Sequence, residues 1–102
     1  MEDILDISPL FVCINEADNV ALAVKDVPQG TRVTGGIITN MEIPQAHKVA
    51  LKDINVGECV VRYGVILGYA KESIRQGDWI NEFMLELPEP PSVDEMEYAK
   101  NI

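Results

Sequence analysis

Histidine and tryptophan each occur once in this 102-residue chain, and phenylalanine and cysteine twice each. The lone histidine, His47, can supply at most one metal ligand or one proton-transfer group. Cations are scarce as well: eight Lys and Arg stand against seventeen Asp and Glu, a net charge of −9. Phosphate backbones and anionic lipid surfaces both require Lys and Arg to displace counterions, so neither nucleic acid nor membrane is an expected partner. No apolar run approaches the roughly 20 residues that cross a bilayer. The start, "MEDILDISPLF", carries no basic segment ahead of an apolar stretch, so a cytoplasmic location is expected. Cys13 and Cys59 have no metal-ligand spacing and lie in the apolar runs "LFVCIN" and "GECVVRY". There a thiol acts as a small hydrophobe, with a single disulfide or a reactive thiol as the alternatives.

What remains is a profile of 47% hydrophobic and 25% charged residues, that of one globular domain with a single core. Inside it one local unit appears four times: "DVPQGTRV" from Asp26, "EIPQAHKV" from Glu42, "DINVGECV" from Asp53 and "SIRQGDWI" from Ser73. In each, an apolar residue (Val27, Ile43, Ile54, Ile74) anchors the entry to a turn. A second (Val33, Val49, Val60, Ile80) begins a strand that faces the core. Pro28 and Pro44 pre-set φ at the corner, and Gly30, Gly57 and Gly77 stand where a left-handed backbone is expected. The leading acidic or hydroxyl side chains can accept bonds from turn amides. The spacing is too irregular for a solenoid.

Between the units, "LFVCIN", "NVALAVK" and "VVRYGVILGYAK" favour strands, the last folding as a hairpin about Tyr63-Gly64. "WINEFMLEL" alternates and reads as one more strand. The fold class expected is mainly β, with short strands and turns. Residues 1–9 read as an N-terminal arm, 10–87 as the domain and 88–102 as a proline-rich linker or tail. Pro88, Pro90 and Pro91 end the last strand, and Ser92 with Glu95 fits a capping box. Val93, Met96 and Ala99 would then share one face of a short C-terminal helix, as a frayed tail or a docking segment for a partner.

Turns of the form D-I-x-x-G-x-x-V in an all-β chain resemble SAF-type β-clip domains. These occur in sialic acid synthases, in pilus and flagellar assembly proteins, and at the start of sugar-acid dehydratases. "DNVALAVKDVPQGTRV", "IPQAHKVALKDI", "VVRYGVILGYAKESIRQGDWI" and "MLELPEPP" together resemble the N-terminal domain of the galactarate/altronate dehydratase family over nearly the whole chain. "RYGVILGYA" and "GDWI" with "LPEPP" lean toward the galactarate branch. Altronate dehydratases tend to carry a histidine-containing stretch where "WINEF" stands here.

The resemblance implies an accessory domain or small subunit of a hydro-lyase that converts hexarate or hexonate acids to 2-keto-3-deoxy acids. It implies iron or another divalent metal in the full assembly, and a large catalytic partner that houses most of the active site. A chain that begins with Met and lacks the large region is expected to be a separate small subunit or a fragment. It is expected to be inactive alone, because elimination of water needs both a base and an acid, and this chain has no complete ligand set. A stand-alone module binding a sugar acid or a protein, and a sulfolactate-type lyase small subunit, are the alternative readings.

The candidate site follows from the resemblance. The family's usual "GHKVAL" becomes "AHKVAL" at Ala46, which is expected to stay right-handed in an ordinary turn. His47 is the candidate catalytic residue or metal ligand. Lys48, Arg62 and Tyr63 are candidates for receiving a sugar-acid carboxylate. For each there is a plainer reading: a histidine at a strand start, a solvated lysine, a tyrosine covering a hairpin.

Overall fold

The computed structural model describes residues 7–13 and 15–87. The strands run β1 (Phe11–Val12), β2 (Val20–Ala23), β3 (Arg32–Thr34), β4 (Ile37–Ile38), β5 (Lys48–Ala50), β6 (Cys59–Arg62), β7 (Val65–Ala70), β8 (Trp79–Ile80) and β9 (Leu85–Glu86). All pairings are antiparallel and form three sheets, ordered β1-β2-β5-β8, β3-β4 and β6-β7-β9. The mainly β architecture expected from the turn spacing is the one observed. Among the described residues the one helical feature is a 3₁₀ turn, Glu82–Met84. The helix read over 92–99 and the proline-rich tail lie outside the described residues.

The four-stranded sheet is the centre of the molecule because both of its faces are buried. Successive side chains on a strand point to opposite faces. The registers Ala21↔Val49 and Val49↔Trp79 therefore put these side chains on one face, together with Phe11 opposite Ala23. That face packs into a cluster with Val27, Val33, Ile37 and Ile43. Val20, Ala50 and Ile80 occupy the other face and join a second cluster with Ile54, Val60, Ala70, Ile74 and Leu85.

The four turn units supply the lids of those two cores, and all eight of their anchor residues are buried. They work as two pairs. Val27 bridges Ile43, and Ile54 bridges Ile74, each by two reciprocal backbone bonds of 2.8 or 2.9 Å. Within each pair the left-handed residue of one turn donates its N–H to the strand end leading into the other turn. Gly30 bonds Thr39 and Ala46 bonds Ala23; Gly57 bonds Ala70 and Gly77 bonds Ala50. The leading acids cap the neighbouring turn rather than their own: Asp26 accepts from Gln45 N–H at 2.7 Å, and Asp53 from Gln76 N–H at 2.8 Å.

Two expectations need correction. Ala46 is not right-handed: its φ is +67°, in the same region as Gly30, Gly57 and Gly77. The bond from its N–H to Ala23 and the pairing of its turn with the first impose that backbone, at about 1–2 kcal/mol relative to Gly. "WINEFMLEL" is not one strand. Asn81 accepts from Phe83 N–H at 2.9 Å, caps the 3₁₀ turn and splits the segment into β8 and β9. Cys13 and Cys59 are free thiols, as read from their apolar surroundings. Burial, and then the negative charge of Asp18, push the Cys13 thiol above its usual range, away from reactive thiolate.

Candidate functional site

The hairpin that carries Arg62 and Tyr63 is fixed from two sides. Tyr63 (φ +57°) and Gly64 (φ +74°) form the two left-handed corners of a tight two-residue turn, as a type I′ hairpin requires. Gly64 donates its N–H to Asp18 Oδ1 at 2.8 Å, which ties the turn to the loop before β2. Lower down, buried Asn19 clamps β6. Its Nδ2 donates to the Cys59 carbonyl and its Oδ1 accepts from Val61 N–H, both at 2.8 Å. Arg62 therefore projects from a strand with little freedom to move.

At that position the Arg62 guanidinium carbon lies 4.9 Å from the centre of the Tyr63 ring, a cation–π contact. Its Nε is buried and has no hydrogen-bond partner among the described residues. Lys48, at the start of β5, is near enough to feel the Arg62 charge. Burial first, and then Arg62, lower the Lys48 pKa, while Glu82 works in the opposite direction. Two of the chain's eight cations thus feel each other's charge while half-buried, with the Glu82 carboxylate acting in the opposite sense.

His47 lies on the other side. Trp79 Nε1 donates to His47 Nδ1 at 3.0 Å, and the two rings meet edge to face with centroids 5.5 Å apart. Trp79 is the register partner of Val49 and packs against the first cluster, whereas Lys48 is in register with Leu22 and Ile80 on the opposite face. The four expected site residues therefore divide into Lys48, Arg62 and Tyr63 on one side and His47 on the other.

Trp79 and Glu82 were absent from the sequence-derived site. Trp79 has a signal in being the sole tryptophan, but nothing local ties it to a histidine 32 residues away. Among the described residues no three His, Cys, Asp or Glu side chains gather to hold a metal ion. A shallow recess lies beside Asn19, with Ala17, Lys52, Gly57, Glu58 and Tyr69 on its walls, and includes none of the four candidates. No helix among the described residues is long and apolar enough to cross a membrane.

Comparison with known proteins gives a consistent picture. Residues 9–88 match the family model described as the altronate/galactarate dehydratase SAF domain. The chain is 39% identical over 94 residues to galactarate dehydratase (L-threo-forming) of Escherichia coli (strain K12), covering 90% of this chain but 18% of that protein. It is 34% identical over 74 residues to altronate dehydratase of Bacillus subtilis (strain 168), covering 70% of this chain and 15% of the other. A relative of different proportions is the (2R)-sulfolactate sulfo-lyase subunit alpha of Chromohalobacter salexigens. It is 29% identical over 79 residues, with 67% of this chain and 84% of that subunit covered. The chain spans less than a fifth of the two dehydratases and most of the sulfo-lyase subunit.

Proposed function

This chain belongs to the altronate/galactarate dehydratase SAF-domain family, and on that premise we propose that it is the accessory domain or small subunit of a sugar-acid dehydratase. In this reading it completes an active site housed mainly in a larger catalytic part, where the iron is held. Both proportions seen among the relatives support it, because the same module serves as a small fraction of a dehydratase and as nearly all of a separate subunit.

The observation that carries the reading is the Lys48–Arg62 pair. An acidic chain gains nothing in stability from bringing two cations together where burial already disfavours charge. A sugar-acid carboxylate would offset both penalties. It would accept from the Arg62 guanidinium and favour the ammonium form of Lys48. Tyr63 holds the guanidinium plane from one side. Removing water between C2 and C3 still needs a base, an acid and a metal, which these groups do not provide together.

The test is reconstitution. The purified chain should not dehydrate galactarate or altronate, and activity should appear with the large catalytic subunit and Fe²⁺. Arg62→Met should raise KM about tenfold or more, the loss of one charge-assisted bond. A complex whose rate is the same with and without this chain would refute the reading. Calorimetric binding of a sugar acid by the chain alone, with no catalytic partner able to use it, would favour a stand-alone module. Turnover of sulfolactate and not of sugar acids would favour the lyase alternative.

A further inference from the structure

We propose that His47 presents its Nε2–H as a fixed hydrogen-bond donor to an oxygen acceptor, set in that tautomer by Trp79, and is not a metal ligand. The indole N–H can only donate, so the atom it meets must offer a lone pair. That atom is His47 Nδ1, 3.0 Å away. Nδ1 therefore carries no proton, and in the neutral ring the proton is on Nε2. Turning the ring over would place a C–H against the indole donor and lose the bond. The edge-to-face contact at 5.5 Å and 63° holds the ring plane as well.

This arrangement is the reverse of what a metal site uses. A histidine that ligates through Nε2 carries its proton on Nδ1 and donates it to a carboxylate or carbonyl. Here Nδ1–H would face Trp79 Nε1–H, donor against donor. Nδ1 itself is already engaged. A base acting through Nε2 would need the same bare nitrogen and meets the same conflict. The neighbouring turn explains why the ring is available. In the equivalent positions Glu58 and Asp78 accept from the backbone N–H three residues earlier, but Pro44 has no N–H. The His47 ring is free of that duty and stands exposed.

That this donor serves a dehydratase's substrate, at a point apart from the carboxylate received by Lys48 and Arg62, rests on the function proposed above; the tautomer does not. Heteronuclear NMR of the full chain reads the tautomer directly, with Nδ1 expected as the unprotonated nitrogen and Nε2 as the protonated one. Trp79→Phe should weaken that preference, and adding Zn²⁺ or Fe²⁺ should leave the ring signals unmoved. In the assembled dehydratase with galactarate, His47→Ala should lower kcat/KM about tenfold. His47→Gln, whose amide N–H replaces the Nε2–H, should recover most of that loss. Trp79→Phe should lower kcat/KM about fivefold, without changing the metal requirement. A proton on Nδ1, a metal-induced shift of Nε2, or a Gln variant as impaired as the Ala variant would each overturn the proposal. Loss of the activity effects alone, with the tautomer intact, would count against the function proposed above and not against the donor geometry.

Discussion

The two turn pairs share one backbone plan and satisfy it with different chemistry. At the corner of the first pair stand Pro28 and Pro44; at the corner of the second stand Asn55 and Arg75. Asn55 N–H is satisfied by Glu58 Oε1 at 2.6 Å, and Arg75 N–H by Asp78 Oδ2 at 2.9 Å. The prolines have no such donor, so Thr31 and His47 are released from capping. Thr31 turns to the Pro28 carbonyl at 2.6 Å, and His47 meets Trp79. A second difference lies at the left-handed position. A Cβ on Gly77 would come within 2.3 Å of the Ile38 carbonyl oxygen, while Ala46 carries its Cβ exposed. The crowding belongs to the Gly77 turn, since a Cβ on Gly30 or on Gly57 would meet nothing within 4 Å.

The largest effect should come from forcing the permissive choice onto the strict turn. Gly77→Ala meets both the Ile38 backbone and φ +91°, and should cost on the order of 3 kcal/mol or more in urea unfolding. Next is the capping difference. Glu58→Ala should cost about 1 kcal/mol, and should cost close to nothing in an Asn55→Pro background, where there is no N–H left to satisfy. A double-mutant cycle measures this. Making the first pair resemble the second at Ala46 should help. Ala46→Gly relieves the left-handed strain but adds chain entropy to the unfolded state, for a net gain of up to about 1 kcal/mol.

The smallest effect concerns Lys48. Because folding lowers its pKa, the charged form is a penalty whenever the pH lies below that lowered value. Lys48→Met should therefore stabilise the chain at neutral pH, by no more than about 0.5 kcal/mol for a half-exposed group. The gain should shrink as pH rises through the lowered value toward that of an ordinary lysine, beyond which both states are neutral. Thermal melts across alkaline pH would show it.

Much of this was legible in the amino acids. The eight anchors of the repeated unit are the floor of both cores, and three of the four left-handed positions announce themselves as glycine. The hairpin corner at Tyr63-Gly64 follows from the strands around it. Ala46 misled because its conformation is set by the turn it pairs with, not by its own neighbours. The pairing itself and the capping of one turn by another's acid are long-range facts with no local mark. The same holds at the site: Lys48 and Arg62 could be chosen for their charge, but their proximity depends on Asn19 clamping β6 beside β2. Asn81 was the readable sign that the last strand breaks, and the alternation around it concealed that sign.

The central sheet has a consequence for how the molecule comes apart. Both hydrophobic clusters draw on β2, β5 and β8 of the same sheet, so neither duplicated half has a foundation of its own. Heating should produce a single calorimetric peak, and peptides cut between the halves should fail to fold separately. An architecture that looks modular in its turns would melt as one indivisible unit.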